Sequence, residues 1–328
     1  MKAAFDILLV VLGISILYWG AEWLIRGSAQ IARAFGVKPL VVGLTVVAYG
    51  ASAPELAVAT KSALTHHEPI ALGTVIGSCA ANISLILGIT ALISPPTIDG
   101  RIIRREVPVL LGSAIAVPLL LRNGVLSRIE GLVLITCAVV FTIATLTVSA
   151  RLEPDDPLEI EARRTEESAA TLAGKGRPSS SRGTAALQTV FGLILLVVGS
   201  DLFVHGGRGL GNEIGISERM LGLTVIAVGT ALPELIGSIV AASRGQAALA
   251  IGSVIGSNVL NVFLVLGVTA YLRPIHAGEL LHLSDLLGLV GITLLGILML
   301  RGSRKISRAE GLLLVLAYVA FIATAAIF

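Results

Sequence analysis

Residues 46–61 read VVAYGASAPELAVATK, and residues 225–240 read VIAVGTALPELIGSIV. Each sets a proline beside a glutamate inside apolar sequence, as Pro54–Glu55 and Pro233–Glu234. Proline has no N–H, and its ring crowds the carbonyl four residues earlier, here Gly50 and Gly229, so a helix is expected to open there. The freed carbonyls cannot face lipid, where each unpaired group costs several kcal/mol; they must face protein, water or a cation. A carboxylate at mid-membrane adds about 2.5–3.5 kcal/mol even on the mildest scale. A chain that accepts both penalties twice is expected to offset them with a bound cation. The blander reading has two kinked helices whose glutamates pair with arginine. It is disfavoured because the nearby bases, Lys61 and Arg244, fall toward helix ends.

The surrounding composition is that of a membrane protein. Hydrophobic residues make up 55% of the chain and charged residues 14%, with a mean hydropathy of +0.92. Apolar runs of about 20 residues, enough to cross a hydrocarbon core, recur along nearly the whole length. The runs are continuous, which excludes the period-two alternation of a transmembrane β-barrel. The net charge of +3 is scattered singly over loops and aromatics are 4%, so there is no platform for nucleic acid. Cys79 and Cys137 lie in apolar segments and read as small packing residues. The first apolar run is too long for a signal peptide and lacks a small-residue cleavage site, so it reads as a retained span.

Ten spans are expected, near 5–34, 39–65, 69–93, 103–121 and 126–149, then 186–211, 217–244, 246–271, 281–300 and 306–327. Residues 43–95 align without a gap on residues 222–274 at a constant offset of 179, with 23 of those 53 positions identical. LSRIEGLVLI (126–135) pairs with ISRAEGLLLV (306–315) at an offset one residue larger, and Glu22 falls opposite Asp201. The fold class is therefore an all-α polytopic membrane protein of ten transmembrane helices in two five-helix repeats, 1–149 and 186–328. The polar segment 150–185, rich in charge, Pro, Ser and Gly, reads as a linker. Because five is odd, the second repeat must be inverted, a hallmark of secondary transporters that bind at the midplane between halves. With the linker cytoplasmic, that side collects 17 of the 24 Lys and Arg residues, and both termini face outward.

The helix after each Pro-Glu pair supplies further oxygen. GTVIGSCAANISLILG puts Ser78 and Asn82 four residues apart, on one helical face, and GSVIGSNVLNVFLVLG does the same with Ser257 and Asn261. Gly73, Gly77, Gly252 and Gly256 are small enough for close helix approach. The ligand inventory is all oxygen: Glu55, Glu234, the hydroxyls of Ser52, Ser78, Thr230 and Ser257, the amides of Asn82 and Asn261, and freed carbonyls. No His or Cys pair has transition-metal spacing, and hard oxygen suits Ca²⁺ or Na⁺. Two carboxylates match the charge of one Ca²⁺ or two Na⁺; if both ions use the same carboxylates, occupancy is mutually exclusive. Exclusive occupancy with alternating access gives antiport.

These residues resemble the cation/calcium exchanger superfamily, in particular its sodium/calcium exchangers. The resemblance rests on GASAPE (50–55) with GSCAANI (77–83) and GTALPE (229–234) with GSNVLNV (256–262), and it covers essentially the whole chain. It implies ten transmembrane helices in the plasma (inner) membrane and exchange of cytosolic Ca²⁺ for external Na⁺. It also implies ligation by Glu55 and Glu234, with Ser52, Ser78, Asn82, Thr230, Ser257 and Asn261 beside them. Backbone carbonyls of Ala48, Ala51, Ala227 and Thr230 complete the implied set. Ala51 stands where members often carry Thr, Ala231 where Ser is common, Cys79 where Asn is frequent, and Asn261 where several relatives carry Asp. The last departure argues against K⁺ co-transport; the missing hydroxyls bear on the Na⁺ sites.

The expected partners are Ca²⁺ and Na⁺ as substrates and the lipid bilayer, with no cofactor, nucleic acid or obligatory protein partner. The nearest alternative is a proton-driven Ca²⁺ exchanger, because buried glutamates can take protons. A cation channel fits an inverted repeat with one midplane site less well. An intramembrane hydrolase would need a positioned base, and the histidines (His66, His67, His205, His276 and His282) lie near span ends. The chain is read as a transporter and not an enzyme.

Overall fold

The structure is a computed structural model that describes residues 2–35, 39–96, 100–149, 182–213, 215, 217–245, 247–276, 283–302 and 306–327. The first copy opens with the long helix Lys2–Phe35. A helical run follows through Pro39–Val42, Gly43–Val47 and Ala48–Ala51, breaks at Ser52, and resumes as Ala53–Leu64. Next come Glu68–Ala80, Ala81–Ile86 and Leu87–Ile93 as one rod, then Gly100–Leu120 and Arg128–Ser149. The second copy repeats this order. Arg182–Glu213 is its long helix, and Glu218–Leu221, Gly222–Ile226 and Ala227–Thr230 lead to a break at Ala231 before Leu232–Ser243. The rod Ala247–Leu260, Asn261–Leu266, Gly267–Leu272 precedes Leu283–Gly302 and Arg308–Ile327. Nine helical stretches among the described residues are long and apolar enough to cross a membrane. The stretch 39–64, expected as the second span, is helical in pieces around Ser52.

The elements follow the expected spans within a few residues, with one notable difference. Helix Arg182–Glu213 begins four residues before the expected span, within the segment read as a linker. The apolar run that marks a span does not mark the polar first turn of its helix. Residues 150–181 of that segment lie outside the described residues, as do Lys38, His282, Arg304 and Lys305.

Four short stretches wind as π-helix, at Gly43–Val47, Ala81–Ile86, Gly222–Ile226 and Asn261–Leu266. A wider turn disturbs the usual backbone pairing, and hydroxyls answer it in three of the four. Thr45 donates to the Val41 carbonyl at 2.6 Å, Thr224 to Met220 at 2.5 Å, and Ser84 to Ala80. The paired segments LSRIE and ISRAE are reciprocal helix caps. The backbone N–H and hydroxyl of Ser127 both donate to Glu130 Oε2 at 2.7 Å, and Ser307 repeats this with Glu310 at 2.7 and 2.8 Å.

The two central rods form the core. Over their most apolar windows, Glu68–Ile93 is 78% buried and Ala247–Leu272 is 89% buried. Arg128–Thr147 and Arg308–Ala325 are 28% buried and turn Val139, Val140, Leu313 and Leu316 outward, as lipid-facing helices do. Each rod packs against the broken helix of the other copy. A Cβ on Gly77 would meet Leu223 O and Ala227 Cβ at 2.6 Å; one on Gly256 would meet Ala48 Cβ at 2.8 Å and Leu44 O at 2.9 Å. Only glycine permits backbones this close.

Inversion is visible in the packing. Lys2–Phe35 and Arg182–Glu213 lie side by side and antiparallel, with Gly13 against Gly199 and Gly20 against Gly192. Val125 pairs with His276 and Leu126 with Ile275 in a two-residue antiparallel ladder. The first pair of residues follows the fourth spanning segment of its copy, and the second follows the third of the other. They can meet on one side of the membrane only if the copies enter it from opposite sides. The matching contact at the other end is Ile306 N–H donating to Pro96 O at 3.2 Å.

Gly77→Ala is expected to lower thermal stability, because overpacking typically costs about 1–3 kcal/mol and the Leu223 carbonyl cannot yield without moving backbone. Gly112, where an added methyl would have nothing within 4 Å, provides the control: Gly112→Ala should melt at or above the parent temperature in detergent.

Candidate cation-binding site

The helix breaks place the two glutamates. Ser52 adopts φ −77°, ψ 0° and Ala231 φ −83°, ψ 0°, the bridge conformation that ends one helical turn without leaving the axis. Pro54 and Pro233 then sit in the first turn of the next half-helix, where a missing N–H costs nothing. Glu55 and Glu234 follow immediately, in the same first turn, at the end of the helix that favours negative charge. The rods complete the arrangement. The π-stretch beginning at Asn261 packs on the half-helix that carries Glu55, and the π-stretch holding Asn82 packs on the one that carries Glu234.

Every residue of the expected ligand set is buried. Glu55, Asn82, Ser78, Thr230, Ser257, Asn261, Ala48 and Ala227 have no exposed surface, and Ser52, Ala51 and Glu234 are 1% exposed. The Glu55 carboxylate is within electrostatic reach of Glu234 and of the Thr230 and Ser78 hydroxyls, and Ser257 lies beside Glu234. Neither carboxylate completes a side-chain hydrogen bond. Among the described residues, 17 buried side-chain oxygen and nitrogen atoms lack a partner. Ten of them are the Ser52 and Ser257 hydroxyls, both oxygens of Glu55 and Glu234, and both amide atoms of Asn82 and Asn261. Leaving a buried polar atom unpaired costs about 1–3 kcal/mol, more when it is charged, so this concentration marks the candidate site.

Other acids show what ordinary satisfaction looks like in this fold. Glu22 is paired with Arg26 and Arg244, and Asp285 receives Arg219 in a two-pronged bridge at 2.9 and 3.0 Å. Glu130 and Glu310 cap helices. Arg244 is thus engaged with Glu22, and Lys61 is exposed; neither neutralises a repeat glutamate, which removes the kinked-helix reading. The expected symmetry of Glu22 and Asp201 does not extend to their surroundings. Asp201 has a side chain 68% exposed, beside His205, whereas Glu22 is buried.

The hydroxyls on one flank already converge. Ser78 Oγ and Thr230 Oγ1 are 3.3 Å apart, and each donates to the Ala227 carbonyl, at 3.2 and 3.3 Å. The i,i+4 spacing of Ser78 and Asn82 runs into the π-turn that starts at Ala81, so Asn82 is set by that turn rather than by the face of a regular helix. One pairing went unread in the sequence. Asn258 Nδ2 donates to the Cys79 carbonyl at 3.1 Å, and the Cys79 thiol donates to the Asn258 carbonyl at 3.7 Å. These are matched positions of the two copies, joined across the symmetry axis, and the repeat alignment contained that pairing. Among the described residues, no group of three or more His, Cys, Asp or Glu could hold a metal. The chemistry here is two carboxylates among neutral oxygens, which selects hard cations.

Inverted halves that meet at paired broken helices are the architecture of a secondary transporter. The chain belongs to the sodium/calcium exchanger protein family, whose sequence model matches residues 5–147 and again 184–326. It is 34% identical to the putative antiporter CaxA of Alkalimonas amylolytica, over 95% of this chain and 96% of the relative. It is 30% identical to the sodium/calcium exchanger MaX1 of Methanosarcina acetivorans, over 97% of each chain. Among solved structures, the sodium-calcium exchanger NCX_Mj soaked with 10 mM Na⁺ and 10 mM Sr²⁺ superposes with a TM-score of 0.79. That match has 31% identity and covers 98% of both chains. The protein is integral to the membrane, and its family is one of transporters.

Binding of Ca²⁺ should raise the melting temperature of the purified protein, since a ligand at about 100 times its Kd adds about 2.7 kcal/mol. Glu55→Gln and Glu234→Gln should each abolish that shift while leaving a folded, monodisperse protein.

Proposed function

We propose that the protein is a secondary active antiporter that exchanges Ca²⁺ for Na⁺ by alternating access at a site between its two halves. The observation that carries the reading is the pair of buried, neighbouring carboxylates, with the Thr230 and Ser78 hydroxyls beside Glu55 and Ser257 beside Glu234. Glu55 and Glu234 supply the charge. Asn82, Asn261, Ser52, Ser78, Thr230 and Ser257 supply neutral oxygens, and the carbonyls of Ala48, Ala51 and Ala227 complete the cage. The halves are 1–149 and 186–328. The segment between them, expected as 150–185 and ending where helix Arg182–Glu213 begins, lies in the cytoplasm, both termini lie outside, and the membrane is the plasma (inner) membrane.

Charge balance makes such a site an exchanger. Two bare carboxylates close together in a dry interior carry a desolvation penalty of several kcal/mol each. The unloaded site therefore resists the closed state through which both faces must pass. One Ca²⁺ neutralises the pair, and so do two Na⁺. Holding Ca²⁺ and Na⁺ together would bury uncompensated positive charge. Each passage thus carries one kind of ion, and the return passage carries the other. The near two-fold symmetry supplies the second requirement, because inverted halves can offer the same residues to either side by exchanging conformations.

Proteoliposomes loaded with Na⁺ should take up radiolabelled Ca²⁺ when external Na⁺ is absent, and vesicles loaded with K⁺ should not. Equal uptake driven by a pH gradient without Na⁺ would replace this reading with proton-driven exchange.

A further inference from the structure

Alternating access requires one end of the site to be shut while the other is open, and inverted copies exchange these roles. Matched positions of the two copies therefore show which end is shut. At the constant offset of 179, Glu22 matches Asp201, Arg26 matches His205, Val240 matches Lys61 and Arg244 matches Thr65. Exact symmetry would give matched positions the same surroundings. Here the surroundings differ.

At one end, helix Lys2–Phe35 packs closely along Leu232–Ser243, the half-helix that carries Glu234. Leu17 and Leu24 share an apolar cluster with Val240 and Ala241, and all four are buried. The buried Glu22 carboxylate takes Arg26 from the next turn of its own helix at 2.5 Å, and Arg244 from the end of that half-helix. At the other end, Arg182–Glu213 touches Ala53–Leu64, the half-helix that carries Glu55, only lightly. Lys61 and Thr65 are exposed, and Thr65 Oγ1 donates back along its own chain to Lys61 O at 2.9 Å. The Asp201 side chain, 68% exposed, lies 3.4 Å from His205 on its own helix. Among the described residues, no ion pair joins Asp201 to Ala53–Leu64.

We propose that Glu22 and Arg244 form a charge latch that holds the site shut at the Arg244 end, the cytoplasmic end in the orientation given above. The proposal rests on the alternating-access part of the exchange reading and not on which ion drives it. Glu22 belongs to the long antiparallel helix pair and Arg244 to a half-helix bearing a site glutamate, so their bond crosses between two bodies that must part for this end to open. The Glu22–Arg26 pair lies within one helix, survives any movement of that helix and selects no state. Separating a buried carboxylate from one of its cations is costly, so the latch weights the equilibrium toward closure at this end. The opposite end has no equivalent. Thr65 stands where the latch would need Arg244, and Lys61 stands where Val240 packs, so closing that end would carry an ammonium toward the apolar seam. The ion-free protein therefore rests with its outer end open.

The test follows thiol accessibility at the matched positions in membrane vesicles of known orientation. Val240→Cys and Lys61→Cys are each placed in a Cys137→Ala background, and that background without the added thiol corrects for the buried Cys79. A membrane-impermeant methanethiosulfonate is applied from the cytoplasmic face for position 240 and from the outer face for position 61. Glu22→Gln and Arg244→Gln should each raise the modification rate at position 240 several-fold and lower the rate at position 61. The double variant should change both rates no further than either single one, because one bond is lost in all three. A merely loosened structure would raise both rates together. That result, unaltered rates, or additive effects of the two substitutions would overturn the latch. The Arg244 side chain is 41% exposed at a helix end, so Arg244→Gln carries the test even if Glu22→Gln fails to fold. A parent in which neither position changes reactivity, whatever ions are supplied to either face, would overturn alternating access itself, which separates the two failures.

Discussion

Two carboxylates are buried close together with no base among the described residues to neutralise them, and the rest of the structure follows from that constraint. Every other buried or capping acid described above has a cation or a helix end that answers it. Glu55 and Glu234 have each other, which raises the cost instead of lowering it. A fold can hold such a pair only if a proton or a bound cation neutralises it. It must also be stiff enough that the pair cannot simply relax apart or drag water in.

The surrounding features supply that stiffness at little cost in side-chain volume. Broken helices end in bridge-region residues, which hold the proline and glutamate on axis instead of swinging them aside. Glycine contacts bring each central rod onto the broken helix of the other copy, so each half of the site is built from both repeats. The Cys79–Asn258 exchange of hydrogen bonds fastens the rods at the axis itself. Outside this core, the long antiparallel pair Lys2–Phe35 and Arg182–Glu213 meets along a glycine seam. Glu22 reaches from that pair to Arg244 at the end of a site-bearing helix, so the outer pair and the core are mechanically joined.

Much of this was legible in the sequence because the informative signals are local or periodic. Membrane spans are apolar runs, and their limits fell within a few residues. Duplication was written in the gapless alignment of 43–95 on 222–274, and its odd number of spans required inversion. Pro54–Glu55 and Pro233–Glu234 marked the helix breaks and the candidate site because both residues are costly in lipid. What stayed hidden depends on three-dimensional neighbours. The four π-turns leave no compositional trace, since the hydroxyls that serve them look like any Ser or Thr in a span. The divergence of Glu22 from Asp201 depends on Arg244, which is distant in sequence. The start of the helix at Arg182 was obscured because its first turn is polar, like the segment before it.

The most direct test of the central claim is an anomalous-scattering crystal structure of the protein soaked in Sr²⁺, a heavier stand-in for Ca²⁺. The account predicts one strong peak at the interface of the repeats, bound by carboxylate oxygens of both Glu55 and Glu234 at the roughly 2.3–2.6 Å typical of Ca²⁺ or slightly longer. A strong peak held elsewhere, with the two glutamates turned apart, would contradict it.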